Sequence, residues 1–228
     1  MSLLFKEETL GANRRLLTSG LVTFTWGNVS IIDRKNQFVY IKPSGATLSE
    51  ISAQHISKIG RNGNQLAGKK PSVDTPTHLE IYKAFENIGA VVHTHSKYAT
   101  IFAQASRDIT CLGTTHADYF DGDVPCISCP TFEEVNNGYE TNTGKIIVKY
   151  FKNLDLDPLR MPAVLIEGHG VFCWGKNSEK ALENAFVLEQ IAEMAYRTLI
   201  MNKSSQLPEY ILRKHFDRKH GEDKYYGQ

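Results

Sequence analysis

The sequence predicts a single α/β domain, and three observations carry that reading. The chain has 228 residues, of which 41% are hydrophobic, enough to bury one sizeable core. Two short β-branched or apolar runs, at residues 90–94 and 161–167, each lead into a polar loop. Helical apolar spacing follows them. Taken in order, residues 5–19 read as a helix ended by Gly20. Residues 21–32 and 37–41 alternate as strands across the polar turn Asp33-Arg-Lys-Asn36, and Lys42-Pro-Ser-Gly45 closes that hairpin. Arg61-Asn-Gly-Asn64 is a turn between two short extended pieces. Asp74-Thr-Pro-Thr77 then opens a helix, with Thr75 as N-cap and Pro76 at the first position, that stops near Gly89.

The run at 90–94 is a strand leading into a helix at 98–106. The run at 161–167 is almost continuously apolar, as a central strand covered on both faces would be, and Gly168-His-Gly170 follows it. Asn177 or Ser178 caps a long helix whose Ala181, Ala185, Leu188, Ala192, Ala195 and Leu199 recur at steps of four and three, a core or subunit-contact stripe. Residues 208–228, rich in Lys, Arg, His and Tyr, have the composition of a solvent-exposed tail. No repeat or linker divides the chain, so residues 1–228 are expected to form one domain.

With 26 basic and 25 acidic residues and no polybasic block, neither nucleic acid nor an anionic membrane is the expected partner; a small molecule is. Charges interrupt the N-terminal segment, and no apolar run approaches membrane-spanning length, so a cytoplasmic protein is expected. Four cysteines are too few for a disulfide framework, and the pair Cys126 and Cys129 lacks the second pair of a structural zinc site.

Chemistry concentrates at Val91-Val-His-Thr-His95. Side chains two apart on a strand point the same way, so His93 and His95 share a face as two ligands of one metal would; two polar residues at a strand end are the plain alternative. His169, after the second apolar strand, offers a third imidazole. Asp74 offers a carboxylate, or simply favours the positive end of its helix. Three histidines and a carboxylate suit Zn²⁺ or another divalent transition ion. Asp118 is a candidate proton carrier or a loop Asp capping amides. Lys42, Ser44, Gly45 and Ser72 have the chemistry of a phosphate cradle, although Pro-x-Gly segments also serve as plain turns.

Set side by side, Thr25-Trp-Gly-Asn-Val-Ser30, Lys42-Pro-Ser-Gly45, Asp74-Thr-Pro-Thr-His78, His93-Thr-His95, Gly113-Thr-Thr-His-Ala-Asp-Tyr-Phe120, Gly168-His-Gly170, Trp174-Gly-Lys-Asn177 and Tyr225-Tyr-Gly-Gln228 form a familiar series. It resembles the L-ribulose-5-phosphate 4-epimerase branch of the class II aldolase family, from about Gly11 to the last residue. The resemblance implies a central, mainly antiparallel sheet with helices on both faces. It also implies one divalent ion per subunit, most simply Zn²⁺, bound by Asp74, His93, His95 and His169. Asn28, Lys42, Ser44, Gly45 and Ser72 would then surround the substrate, and Asp118 would be the acid/base on one face. Tyr226 of a neighbouring subunit would serve the other face, with Glu140 and His215 in support. The assembly implied is a homotetramer with four-fold symmetry and sites between subunits.

The chemistry of the implied reaction is consistent with that set. The hydrogen on carbon 4 of a ketopentose phosphate is not adjacent to the ketone, so its simple removal has no good electron sink. Cleavage between carbons 3 and 4 gives a dihydroxyacetone enediolate and glycolaldehyde phosphate. The aldehyde turns its other face and is attacked again, which requires a proton carrier on each side. Two rivals share the framework. An L-fuculose-phosphate-type aldolase would release its aldehyde, and a non-catalytic scaffold like the adducin head would lack the metal ligands.

Overall fold

The computed structural model describes residues 2–222 and 224–225. Eight strands form one sheet: β1 (Asn28–Asp33), β2 (Phe38–Ile41), β3 (Ser57–Gly60), β4 (Gln65–Ala67), β5 (Ala90–Thr94), β6 (Cys126–Ile127), β7 (Ala163–Ile166) and β8 (Gly170–Gly175). Their order is β4-β3-β2-β1-β5-β8-β7-β6, and every neighbouring pair is antiparallel except β6 with β7. The fold is therefore a single-domain α/β architecture with a mixed, mainly antiparallel central sheet, as the sequence led us to expect.

Helices α1 (Ser2–Thr18), α2 (Thr75–Ala84), α3 (Lys97–Gln104), α4 (Thr114–Ala117), α5 (Phe132–Asn136), α6 (Tyr139–Asn153), α7 (Ser178–Met201) and α8 (Glu209–His220) complete it. Side chains alternate across β8, which sends Phe172 and Trp174 to one face. There Trp174 packs at 5.3 Å against both Phe85 and Phe151, at the ends of α2 and α6, contacts worth about 0.5–1.5 kcal/mol each beyond burial. The opposite face carries α7, whose Ala181, Ala185, Leu188, Ala192 and Ala195 are buried as their spacing predicted. Asn177 is its N-cap, accepting from the Lys180 amide at 2.8 Å. Asn13 fastens α1 to β1 by donating to the Val29 carbonyl and accepting from the Val29 amide. Among the described residues no helix is long and apolar enough to cross a membrane.

Four local expectations need correction. Strand β1 begins at Asn28, because residues 21–27 turn instead, with Trp26 N–H bonded to the Thr23 carbonyl and Gly27 at φ 76°. The N-cap of α2 is Asp74; Thr75 lies inside the helix and donates its hydroxyl to the Ser72 carbonyl. That helix ends at Ala84, where the Arg34 guanidinium takes up the carbonyls of Tyr82, Phe85 and Ile88. Residues 170–175, not read as a strand, are β8, hairpin partner of β7 and central neighbour of β5.

The supposed tail at 208–228 contains helix α8, with Leu212 packed on Cys111 and Ala117 and Phe216 fully buried. Acidic Glu209 in its first turn and Arg218, Lys219 and His220 in its last suit the helix dipole.

Candidate functional site

Asn28 on β1, His93 on β5 and Phe172 on β8 are direct cross-strand partners, so their side chains form one row on the face covered by α2 and α6. The buried His93 ring lies flat on Phe172, 4.3 Å between centroids. His95, two residues further and just past the strand end, turns its Nε2 to within 3.1 Å of the His93 Nε2. His169 occupies the turn between β7 and β8, its ring 4.9 Å from His93 and 5.0 Å from His95. One ligand atom from each of the three lies within 4.8 Å of the others. Their meeting follows from strand order: β5 runs out where β8 begins, and the β7–β8 turn sits beside that point.

Protonation favours metal binding. The His93 Nδ1 bonds the Val171 carbonyl at 2.9 Å; a carbonyl only accepts, so Nδ1 carries the hydrogen and Nε2 presents a lone pair. Burial lowers the pKa of His93, while for His95 and His169 burial and the neighbouring rings push it down to about 4. All three imidazoles are thus neutral at pH 7, the form that binds metal. Two nitrogens each about 2.05 Å from one ion at a tetrahedral angle stand roughly 3.3 Å apart. The 3.1 Å between the His93 and His95 Nε2 atoms is close to that spacing. The residues present therefore fit a divalent ion.

Asp74 faces the same cavity, outside the three-ring group. Its Oδ2 accepts from Asn28 Nδ2 at 2.7 Å and from the Ser72 hydroxyl at 3.2 Å. Burial would raise its pKa, but the His93 and His78 rings and these two hydrogen bonds outweigh that and hold the carboxyl below its usual value. The Asn28 Oδ1 is buried without a hydrogen-bond partner among the described residues.

The cavity measures about 420 Å³. Asn28, Lys42, Ser44, Gly45, Ser72 and Asp74 line it with the three histidines and Glu140, so ten of the residues singled out from sequence share one wall. Lys42 is buried, and desolvation lowers its pKa, partly offset by Asp74; its Nζ donates to the Thr25 carbonyl at 2.9 Å. The segment after Lys42 is zipped to residues 70–72 by Ser44 N–H to the Lys70 carbonyl and Ser72 N–H to the Lys42 carbonyl, which brings both serines to one rim. Gly27 lets the 21–27 loop close over β5: a Cβ there would stand 2.7 Å from the His93 carbonyl.

Asp118 and His215 are not among the residues lining this cavity. Asp118 ends α4, its carboxylate held by Arg218 Nη2 at 2.8 Å, Arg218 Nε at 3.1 Å and His215 Nδ1 at 3.2 Å, all from α8. The His220 Nε2 donates to the Asp118 carbonyl at 2.9 Å. Tyr226 lies outside the described residues. Sequence reading missed Tyr139, whose hydroxyl is 3.2 Å from His169 Nδ1 and which lines the cavity; its place beside Glu140 was the available signal. Trp26 also lines the cavity.

Residues 7–196 match the family described as the class II aldolase and adducin N-terminal domain, and the chain belongs to that family. Among solved structures it is similar to an L-fuculose 1-phosphate aldolase, at 24% identity, TM-score 0.77, with 94% of this chain and 95% of that chain covered. YgbL from Klebsiella pneumoniae matches at 25% identity, TM-score 0.74, over 94% and 98%. L-fuculose-1-phosphate aldolase from Thermus thermophilus matches at 21% identity, TM-score 0.65, over 91% and 99%.

Proposed function

We propose that the protein is a metal-dependent sugar-phosphate enzyme, and specifically an L-ribulose-5-phosphate 4-epimerase that forms D-xylulose 5-phosphate by breaking and remaking the C3–C4 bond. The single observation carrying the reading is the group of three imidazoles lining a cavity that is also lined by Lys42, Ser44 and Ser72. His93, His95 and His169, with Asp74 beside them, would hold a divalent ion, which would supply Lewis-acid polarisation of the ketone.

The chain's own groups do the rest. Lys42, the Ser44 and Ser72 hydroxyls and the Gly45 backbone receive the phosphate. Asn28, which lines the cavity, meets a substrate hydroxyl. Asp118 takes the proton of the C4 hydroxyl as the bond breaks; once the aldehyde has turned, Tyr226 gives a proton to its oxygen on the opposite face as the bond re-forms, and exchange with solvent resets both groups. Glu140 borders the substrate and His215 orients Asp118. Because Asp118 does not line its own chain's cavity, this reading puts it at the cavity of a neighbouring copy in a cytoplasmic homotetramer.

The epimerase assignment is supported by the His116-Ala-Asp-Tyr-Phe120 segment. A second reading, an aldolase of the L-fuculose-phosphate type, is supported by the fold likeness. Incubation with L-ribulose 5-phosphate separates them: D-xylulose 5-phosphate as product supports the epimerase, and net release of dihydroxyacetone supports the aldolase. Neither product, together with no bound ion in protein purified without chelators, would favour a non-catalytic scaffold.

A further inference from the structure

We infer that Tyr139 is a positioning residue for the metal centre, its hydroxyl accepting from His169 Nδ1 and so turning the His169 Nε2 lone pair toward the ion. The inference rests on the metal reading above and adds a residue to it. The three rings are not equally secured. His93 is buried, stacked on Phe172 and tied through Nδ1 to the Val171 carbonyl. His169 stands in a short turn and is partly exposed, and the one hydrogen bond its ring makes among the described residues is between Nδ1 and the Tyr139 hydroxyl, at 3.2 Å. Fixing the second ring nitrogen is how proteins select the tautomer of a metal-binding histidine.

The phenol is presented from a firm base. Tyr139 is the first residue of α6, and Thr143 Oγ1 donates to its carbonyl at 2.8 Å. Thr77 Oγ1 of α2 donates to the next carbonyl, that of Glu140, at 2.6 Å. Gly144 seats α6 against α2 so closely that a Cβ would stand 2.6 Å from Glu80 Cβ. Thus α2, which also carries Asp74 at its start, fixes the height at which the Tyr139 hydroxyl meets His169.

The test is titration calorimetry of metal-free protein with Zn²⁺, alongside thermal melting. Tyr139→Phe keeps the ring and removes the hydroxyl; its Zn²⁺ affinity is expected to fall about 10–100-fold, with melting of the metal-free protein unchanged. Thr143→Val removes a hydroxyl bonded to the same residue's backbone and should lower the melting temperature while leaving Zn²⁺ affinity intact. Equal affinity in wild type and Tyr139→Phe overturns the inference and leaves the metal site standing. The same affinity loss in both variants also overturns it, by showing local helix damage. A wild-type protein that binds no Zn²⁺ overturns the metal reading and this inference together.

Discussion

His93 stands on a strand paired on both sides, by β1 and β8, whereas Asp118 ends a one-turn helix held in place by α8. The first region meets its requirements within one chain: three imidazoles converge, a carboxylate lies beside them, and hydroxyls and an ammonium share the wall. The second is a polar cluster in which Arg218 and His215 hold the carboxylate of Asp118, which is not among the described residues lining the cavity. A metal centre requires positional accuracy of tenths of an ångström, which a paired central strand supplies. A proton carrier that must approach from the far side of a substrate can be borne on a peripheral element.

The strongest way to break this comparison is to remove a strand-borne ligand. His93→Ala is expected to abolish bound metal, read by elemental analysis, and to leave no measurable turnover; retained metal would show that the three-ring group is not the site. Asp118→Asn is expected to keep the metal but lose about 10²–10⁴-fold in turnover. Mixing and reassociating the inactive His93→Ala and Asp118→Asn proteins sharpens the point. If each cavity takes Asp118 from a neighbour, mixed assemblies recover activity; no recovery would place both groups in one chain's site.

A smaller effect concerns acid. His116, buried in α4 with its Nε2 bonded to the Gly122 carbonyl, has its pKa lowered from 6.5 to about 4, by burial first. Between these values the unfolded chain binds the proton more readily than the folded one, so stability is full above about pH 6.5 and falls as pH drops toward 4. The slope is about 1.4 kcal/mol per pH unit, about 3 kcal/mol in all from this residue. Denaturant titrations of metal-free protein should show it, and His116→Gln should flatten the slope.

The smallest effect expected is that of Gly170→Ala. An added Cβ would lie 2.7 Å from the Thr94 carbonyl and 3.0 Å from His95 Cδ2, so about 1–3 kcal/mol of stability should be lost, with weaker Zn²⁺ binding. Unchanged binding would mean that the β5–β8 contact does not set the position of His95.

Much of the wall was legible because its residues fall in short motifs with local geometry of their own. Two-residue spacing at the end of β5 settles that His93 and His95 share a side, and the stripe on α7 was visible as periodicity. Strand β8 was not legible: Gly170-Val-Phe-Cys-Trp-Gly175 is short and glycine-bounded, and only pairing with β5 and β7 makes it a strand. The last helix was hidden by its charge, since Leu212 and Phe216 are a thin apolar stripe among Lys, Arg and His.

The sequence by itself determined which side chains could bind an ion and that two of them face one way, because a strand's side chains alternate with a period of two whatever surrounds it. Only the tertiary structure decided that His169 joins them, that Asp74 is shared with Asn28 and Ser72, and that Asp118 is held apart by α8. Those outcomes depend on strand order and on helices packing across long stretches of chain, where burial and pairing of distant segments override local preference.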